Sequence, residues 1–296
     1  MKLRVAIPDL ISPSYFPAIA AVEMGCFKQQ GFDAELSLLY PVTRTYEDLR
    51  DGELDFVGGA AHAALYAFKD WRGCKLLCAL AQHMYWFLIV HSKFKASKGD
   101  LNSARNLRIG AAPGPVDGLK EMLKVAGIDA TIGAVPGTAG PTASFGLMAA
   151  KALKEERIDG FWANGMGAEV AVKGGYGTLV LDARRDGTPL MKGYTFPALV
   201  ASEKMIQENP AAARGAINAV KQAQQLLKED PRRATAVGQK RFPAEEAGMI
   251  AELVRRDAPF YDPAIPPKAV ESMNRFAAGM GLLSKNASYE EVVWNG

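Results

Sequence analysis

Residues 50–62 read RDGELDFVGGAAH, and residues 155–167 read EERIDGFWANGMG. Both stretches contain a helix end, a short polar turn, a Leu-Asp or Ile-Asp pair, a brief apolar run and then small residues. The apolar run predicts a strand, and the small residues after it predict the start of another helix. Because the same corner occurs twice, we expect the chain to form two similar lobes.

Length and composition agree with two lobes of a globular protein. The chain has 296 residues, which is more than a single core usually supports. Its content of 49% apolar and 23% charged residues is typical of soluble globular proteins. A net charge of +3 without a long basic run does not indicate a nucleic-acid partner. No stretch approaches the roughly 18 apolar residues of a membrane span.

The first ten residues, MKLRVAIPDL, lead directly into a predicted strand. They contain neither the apolar region nor the cleavage site of a secretory signal. We therefore expect a periplasmic location if a signal peptide has been removed, and a cytoplasmic one if Met1 is the native start.

The spacing of cysteines and histidines favours neither disulfides nor a metal site. Three cysteines are too few for a disulfide framework, and Cys74 and Cys78 lack an accompanying histidine cluster. None of the three histidines has the spacing of a metal-binding motif. We therefore predict buried thiols, and neither a metal nor a cofactor.

Strands and helices alternate along most of the chain. Nine apolar runs predict strands, at residues 3–7, 32–40, 55–58, 75–81, 86–90, 107–112, 160–163, 178–183 and 196–202. A polar segment at residues 91–106 interrupts the alternation and predicts a crossing between lobes. The alternation itself predicts mostly parallel sheets that are covered by helices on both faces.

Helices are predicted between these strands and after the last of them. Thr45 is expected to cap a short helix at residues 46–51, residues 61–69 to form the next helix, and Thr142 to open a helix that ends near Glu155. Five helices are predicted beyond the last strand, at residues 203–209, 210–230, 231–242, 244–261 and 267–280.

Four segments resemble the NMT1/THI5/SsuA-like group of solute-binding proteins. They are SYFPAIAAVEMGCFKQQGFDAEL at residues 14–36, LRDGELDFVGGAAHAAL at 49–65, LRIGAAPGPVDGLKEMLKVAGID at 107–129 and ALKEERIDGFWA at 152–163. The four occur in the order expected for that group, between residues 14 and 163.

The resemblance implies an α/β, two-lobed type II periplasmic-binding-protein fold, with a helical C-terminal extension on the first lobe. The first lobe would comprise residues 1–91 and 195–296, and the second residues 92–194. Crossings near residues 91–105 and 185–195 would form a hinge, and closure would trap a small molecule in the cleft. Relatives of this kind deliver solutes to the permease of an ABC transporter, and we expect a monomer without a nucleic-acid partner.

Candidate ligand contacts in the first lobe follow its predicted strands, because open α/β sheets bind ligands at the carboxyl ends of strands. They are Ser12, Ser14, Tyr15, Arg44, Gly59, Ala60, Ala61, His62, His83 and Trp86. Arg44 would clamp an anionic group, or else lie in solvent. The turn at residues 59–62 would offer backbone N–H groups to an anion. The Ser14 and Tyr15 hydroxyls, His62 and Trp86 would either contact the ligand or have structural roles.

Candidate contacts in the second lobe are placed in the same way. They are Pro113, Gly114, Val116, Thr138, Trp162 and Asn164. Residues 113–117 lack the P-loop pattern, and Asp117 would cap the helix that follows. Residues 137–142 are expected to form a more suitable turn for an anion, while Trp162 and Asn164 would offer stacking and an amide.

Two classes of function remain open. The first is a solute-binding protein for a sulfonate, an aromatic or heterocyclic carboxylate, or a pyrimidine-like molecule. The second is an enzyme on the same fold, with His62 as acid or base, because some relatives are decarboxylases, dehydratases or pyrimidine synthases of thiamine biosynthesis. Those synthases carry a cysteine-rich segment that this chain lacks.

Overall fold

The computed structural model describes residues 2–138 and 144–296, and the described residues form two five-stranded sheets. The strands are β1 (Lys2–Ile7), β2 (Asp33–Leu38), β3 (Phe56–Ala60), β4 (Cys74–Ala79), β5 (Phe87–His91), β6 (Arg108–Ala111), β7 (Thr131–Gly133), β8 (Gly160–Ala163), β9 (Gly177–Asp182) and β10 (Pro197–Ser202).

Helices pack on these sheets. The α-helices are α1 (Phe16–Glu23), α2 (Cys26–Gln29), α3 (Val42–Arg50), α4 (Pro115–Ala126), α5 (Phe145–Lys154), α6 (Gly165–Lys173), α7 (Pro189–Lys192), α8 (Glu203–Glu208), α9 (Pro210–Glu229), α10 (Arg233–Arg241), α11 (Ala244–Asp257), α12 (Pro267–Gly279) and α13 (Tyr289–Val292). Short 3-10 helices occur at Ala61–Tyr66, Lys69–Trp71, Ser92–Phe94, Leu101–Ala104 and Ala258–Phe260. Along the described chain, no helix is both long and apolar enough to cross a bilayer.

The two sheets have the same topology. The first is ordered β2-β1-β3-β10-β4 and the second β7-β6-β8-β5-β9. In each, four strands run in one direction and one strand, β10 or β5, runs antiparallel to both of its neighbours. Each sheet with its helices is a lobe, so the predicted two-lobed α/β fold with mostly parallel sheets is confirmed.

The antiparallel strands correct the predicted division of the chain. Residues 87–91 were expected in the first lobe, but β5 hydrogen-bonds to β8 and β9 in the second sheet. The first crossing therefore lies between β4 and β5, at residues 80–86, and not at residues 91–105. An apolar run predicts a buried strand but carries no information on which sheet the strand joins. The second crossing lies between β9 and β10, which overlaps the predicted residues 185–195.

The repeated corner has a common structural basis. In the first lobe, the carboxylate of Asp55 accepts bonds from the backbone N–H and the guanidinium of Arg4 on β1, at 2.7 and 3.0 Å. In the second, Asp159 accepts the same pair of bonds from Arg108 on β6, at 3.0 and 2.8 Å. The Leu-Asp or Ile-Asp pair therefore joins the central strand of each lobe to its neighbouring parallel strand.

The C-terminal helices form the predicted extension on the first lobe. Helix α9 packs against α1 and α2 and beside β4, and α10 and α11 pack together next to it. Helix α11 also reaches the second lobe, where Arg256 forms an ion pair with Glu169 of α6 at 2.5 Å.

Several local predictions need correction. Helix α3 begins at Val42, and Thr45 does not cap it, because its hydroxyl donates to the carbonyls of Leu39 and Pro41. The helix expected at residues 61–69 is two 3-10 helices, and strand β7 was not predicted. The expected helix start at Thr142 lies outside the described residues.

Candidate functional site

A small cavity lies between the lobes, where the loops after the parallel strands of both sheets meet. Its volume is about 40 Å³. It is lined by Pro8, Asp9, Tyr15, Tyr40, Val42, Tyr85, Trp86, Ala112, Pro113, Pro115, Phe145, Trp162, Ala163 and Asn164. An engineered dry cavity of ~150 Å³ holds benzene, so this cavity is smaller than one known to hold an aromatic ring.

Aromatic rings form most of the walls. Tyr40 of the first lobe stacks on Phe145 of the second, with ring centroids 5.9 Å apart. Trp86, in the first crossing, lies 6.0 Å from Trp162 of β8 and 4.6 Å from Tyr85. The walls are therefore aromatic surfaces from both lobes, of the kind that pack against flat, apolar bodies.

Two tyrosine hydroxyls supply one polar group in this wall. The Oη atoms of Tyr15 and Tyr85 are 2.6 Å apart, and both side chains are buried. One hydroxyl donates to the other, so a single O–H hydrogen of the pair remains for another acceptor. Burial raises the pKa of both tyrosines, so the pair stays protonated at physiological pH.

Asp9, just after β1, is the ionisable carboxylate of the cavity. Its Oδ2 accepts from Asn164 Nδ2 at 2.6 Å, Ser144 Oγ at 3.1 Å and Gly146 N at 3.5 Å, all in the second lobe. Its Oδ1 accepts from Ile11 N at 2.9 Å. Burial raises the pKa of Asp9 to about 6, because these hydrogen bonds only partly offset the loss of water.

No Lys, Arg or His is present among the described residues that line the cavity. The guanidinium of Arg184 stacks on the ring of Tyr85, 5.7 Å from its centroid, but does not line the cavity. Its charge is paired with Asp257 at 2.6 Å, and its Nε donates to the carbonyl of Gln82 in the first crossing. The described lining therefore combines one carboxylate with aromatic walls and contains no cationic side chain to bind an anion.

A second set of contacts joins the lobes beside the cavity. His62 is fully buried; its Nε2 lies 3.2 Å from the carbonyl oxygen of Gly114, and its Nδ1 lies 2.9 Å from Thr195 Oγ1. The carboxylate of Asp117 lies 3.4 Å from the same Nε2 and accepts from Tyr66 Oη at 2.8 Å. Since His62 and Tyr66 belong to the first lobe and Gly114 and Asp117 to the second, these bonds stabilise the closed arrangement.

The structure brings some of the predicted contacts together. The predicted residues that line the cavity are Tyr15, Trp86, Pro113, Trp162 and Asn164. Asn164 also caps α6, because its Oδ1 accepts from the backbone N–H groups of Met166 and Gly167.

Arg44 is not part of the cavity. Its side chain is on the exposed face of α3, 62% accessible, and forms an ion pair with Asp48 at 2.8 Å. The predicted anion clamp is therefore corrected: residues 42–50 are helical, and the turn of the helix places Val42, rather than Arg44, towards the cavity.

The turn after β3 is also covered. A Cβ on Gly59 would meet Val42 and the Tyr46 hydroxyl at 2.9 and 3.0 Å, and Tyr46 donates to the carbonyl of Ala60. The backbone N–H of Ala61 donates to Phe196 of the second crossing. These residues pack within the first lobe and offer no free turn to an anion.

The remaining predicted contacts also lie outside the cavity lining. Ser14 donates to Asp257 at 3.3 Å, and the buried Ser12 hydroxyl has no hydrogen-bond partner among the described residues. His83, which lies in the first crossing, packs edge-on against Phe260. Gly114 and Val116 flank the lining residue Pro115, and the Thr138 hydroxyl donates to Val135. In the anion-accepting turn expected at residues 137–142, the residues from position 139 onwards lie outside the described residues.

The principal residues that sequence reasoning missed are Asp9, Tyr40 and Phe145. Asp9 and Tyr40 are the second residues after the ends of β1 and β2, so the rule that ligands bind at strand ends predicts both positions. Phe145 begins α5, where its sequence context does not distinguish it from a core residue.

The described residues contain no group of three or more His, Cys, Asp or Glu side chains placed to bind a metal ion. The three cysteines are free and buried, and burial raises the pKa of each thiol. Such thiols are poor nucleophiles and poor ligands.

Known structures share this fold at low sequence identity. A protein from Bordetella bronchiseptica RB50 aligns with a TM-score of 0.77 and 17% identity, over 99% of this chain and 94% of that one. The alkanesulfonate-binding protein SsuA from Xanthomonas axonopodis pv. citri, bound to MOPS, aligns with a TM-score of 0.75 and 14% identity, over 99% and 98%. The periplasmic nitrate-binding protein NrtA from Synechocystis PCC 6803 aligns with a TM-score of 0.73 and 14% identity, over 98% of this chain and 83% of that one.

At these identities the structural likeness shows the fold, which is that of the periplasmic binding proteins. No curated protein matches the chain. The sequence profile described as NMT1/THI5-like matches residues 12–234, which is most of the chain and includes both copies of the corner. The chain therefore belongs to the NMT1/THI5-like family.

Proposed function

We propose that this protein is a solute-binding protein that captures a small planar molecule between its lobes and presents it to the permease of an ABC importer. The observation that carries the proposal is the aromatic cavity between two lobes, which two crossings connect in the described part of the chain. Periplasmic binding proteins are among its structural neighbours. A periplasmic location and a monomeric state belong to the same proposal.

Among the ligand classes that the sequence leaves open, the cavity favours a pyrimidine-like ring over a sulfonate or a carboxylate. An anion needs a cation or several free N–H donors when it leaves water. The described lining supplies no Lys, Arg or His, and Pro113 and Pro115 remove two backbone N–H groups from the loop after β6. Rings such as Tyr40 and Phe145 instead suit a flat heterocycle.

The hinge supports capture by closure. The bonds of Asp9 to Ser144 and Asn164, and those of His62 to Gly114, join the lobes and form only when the cleft is shut. A ligand that touches both lobes binds the closed state more tightly than the open one, and this difference drives closure.

The geometry does not favour the alternative enzyme. His62 does not line the cavity, and both of its ring nitrogens already have partners, Thr195 and the carbonyl of Gly114. An acid or base must reach the proton that it transfers.

A thermal-shift screen tests the proposed function. The library would contain planar nitrogen heterocycles, aromatic carboxylates and sulfonates. A true ligand at ~100 times its Kd should add ~2.7 kcal/mol to the free energy of unfolding. Small-angle scattering should then show a smaller radius of gyration on saturation. Saturable binding of sulfonates alone would contradict the proposed ligand class, and the absence of any ligand across the library would contradict the function.

A further inference from the structure

The charge of the cavity is opposite to the one that an anion-binding site requires. Its described lining contains one carboxylate, Asp9, and six aromatic rings, those of Tyr15, Tyr40, Tyr85, Trp86, Phe145 and Trp162. Aromatic faces carry negative electrostatic potential and attract cations within ~6 Å of the ring centre. The carboxylate and the rings therefore favour the same sign of ligand charge.

Resting on the proposed function, we infer that the ligand carries a positively charged nitrogen group, such as an amidinium or a protonated amino-heterocycle, and that Asp9 binds it. The charged group donates to the Asp9 carboxylate while the ring packs against the aromatic wall that Tyr40, Phe145 and the tryptophans form. This inference adds to the proposed function, which specifies a planar molecule, because it also specifies the sign of the ligand's charge.

Asp9 has capacity for this bond. Its Oδ2 accepts three bonds from the second lobe, whereas its Oδ1 accepts one, from Ile11 N. A carboxylate oxygen has two lone pairs, so Oδ1 retains one for a ligand N–H. All four existing donors are uncharged groups, so the negative charge of Asp9 has no countercharge of its own among them.

A second polar group lines the same cavity as Asp9. The Tyr15 and Tyr85 pair retains one O–H hydrogen, which suits a ring nitrogen or another acceptor on the ligand. The positive charge of Arg184 behind Tyr85 is compensated by Asp257, so it does not cancel the charge of Asp9. A ligand that carries both a cationic donor and a hydrogen-bond acceptor matches both polar groups.

Three probes with the same ring and nearly the same shape test the sign of charge. They are benzamidine, which is cationic, benzamide, which is neutral, and benzoate, which is anionic. Titration calorimetry of the full chain at about pH 8, where Asp9 is ionised, should show benzamidine binding at least ~10-fold more tightly than benzamide, and benzoate most weakly.

A matched pair of variants identifies the group responsible. Asp9→Asn removes the charge, so the ratio of benzamidine to benzamide affinity should fall to about 1. Asp117→Asn is the control, because Asp117 is also a buried carboxylate at the junction of the lobes but does not line the cavity. It should weaken all three probes alike and leave the ratio unchanged.

Proton release gives a readout in the unmodified protein. At about pH 5, Asp9 is mostly protonated, since burial raises its pKa to about 6, and a bound cation must displace that proton. The other groups that face Asp9 are the uncharged Ser144 and Asn164, and Tyr15 and Tyr40, whose pKa values burial raises. The heat of benzamidine binding should therefore depend on the ionisation enthalpy of the buffer, and that of benzamide should not.

Each contrary outcome is decisive. Benzamide or benzoate binding as tightly as benzamidine, or a cation preference that survives in Asp9→Asn, would overturn the inference while leaving a planar solute as the ligand. Failure of all three probes to bind saturably would also overturn it. The proposed function would then be judged on the wider solute library alone.

Discussion

At the scale of single residues, the site depends on a carboxylate held by the opposite lobe. Asp9 follows β1, yet three of its four hydrogen bonds come from Ser144, Gly146 and Asn164 of the second lobe. Its environment is apolar enough to disfavour the charged form. The same residue therefore serves as a contact between the lobes and as the acidic group of the cavity.

The raised pKa of Asp9 predicts a pH dependence of stability. An unfolded Asp ionises near ~3.9, whereas folded Asp9 ionises near 6. Between these pH values the folded state binds more protons than the unfolded state. The free energy of unfolding therefore falls by at most ~3 kcal/mol as pH rises through this window, and it levels off above it. Asp9→Asn should lack this component.

Urea denaturation of the wild type and of Asp9→Asn between about pH 4 and pH 7 measures the contribution of Asp9 to the pH dependence of stability. The stability of the wild type relative to Asp9→Asn should decline as pH rises. Two parallel curves of stability against pH would show that Asp9 titrates alike in the folded and unfolded states.

At the scale of elements, the cavity depends on close packing of α5 against α6. A Cβ on Gly167 would overlap the backbone of Gly146, and one on Gly146 would meet the Asn164 side chain at 2.6 Å. The two glycines thus allow the N-termini of both helices to converge on Asp9. This approach explains why Asn164 can cap α6 and donate to Asp9 at the same time.

Gly167→Ala should separate α5 from α6. Because the added methyl group meets backbone rather than a flexible side chain, we expect a loss of ~1–3 kcal/mol in the free energy of unfolding and weaker ligand binding. Chemical denaturation measures the first and calorimetry the second.

Gly248→Ala is the matched control for this substitution. Gly248 lies within α11, and a Cβ there meets nothing within 4 Å. Alanine should therefore stabilise the helix by ~0.5–1 kcal/mol. A Gly167→Ala protein as stable as the wild type would contradict the close contact.

At the scale of the whole molecule, the lobes are joined by two crossings and by hydrogen bonds between their facing surfaces. The crossings pair with each other: Met84 N donates to the carbonyl of Lys192, and Ala183 N to that of Trp86. On the closing surfaces, Asp117 accepts from Tyr66 at 2.8 Å. If the lobes close on a solute as proposed, opening would break the bonds between the facing surfaces and keep those between the two crossings.

Tyr66→Phe should shift the protein towards the open state. The hydroxyl is lost without loss of the ring, so we expect affinity for the best solute of the screen to fall ~2–10-fold. Calorimetry measures the affinity, and small-angle scattering should show a larger radius of gyration at subsaturating solute.

The control is Tyr289→Phe. Its hydroxyl donates to the carbonyl of Ile265 at 2.9 Å, within the first lobe. This variant should bind solute like the wild type. Equal affinities of the two variants would mean that the Tyr66 bond does not contribute to closure.

The sequence by itself determined the order of strands and helices and the presence of two related lobes. Apolar periodicity is a local property, so strands such as β8 and helices such as α9 were predicted within a residue or two of their observed bounds. The repeated Leu-Asp and Ile-Asp corners marked β3 and β8, which occupy equivalent central positions in the two sheets.

Only the tertiary structure decided which residues meet in the cleft. The sheet to which a strand belongs depends on its hydrogen-bond partners. Strand β5 therefore belongs to the second sheet, although it is the next strand after β4 in the chain. The direction of a side chain depends on helical phase, which placed Arg44 in solvent. The burial of Asp9 depends on groups more than 130 positions away in the chain, such as Ser144 and Asn164, which no local pattern can reveal.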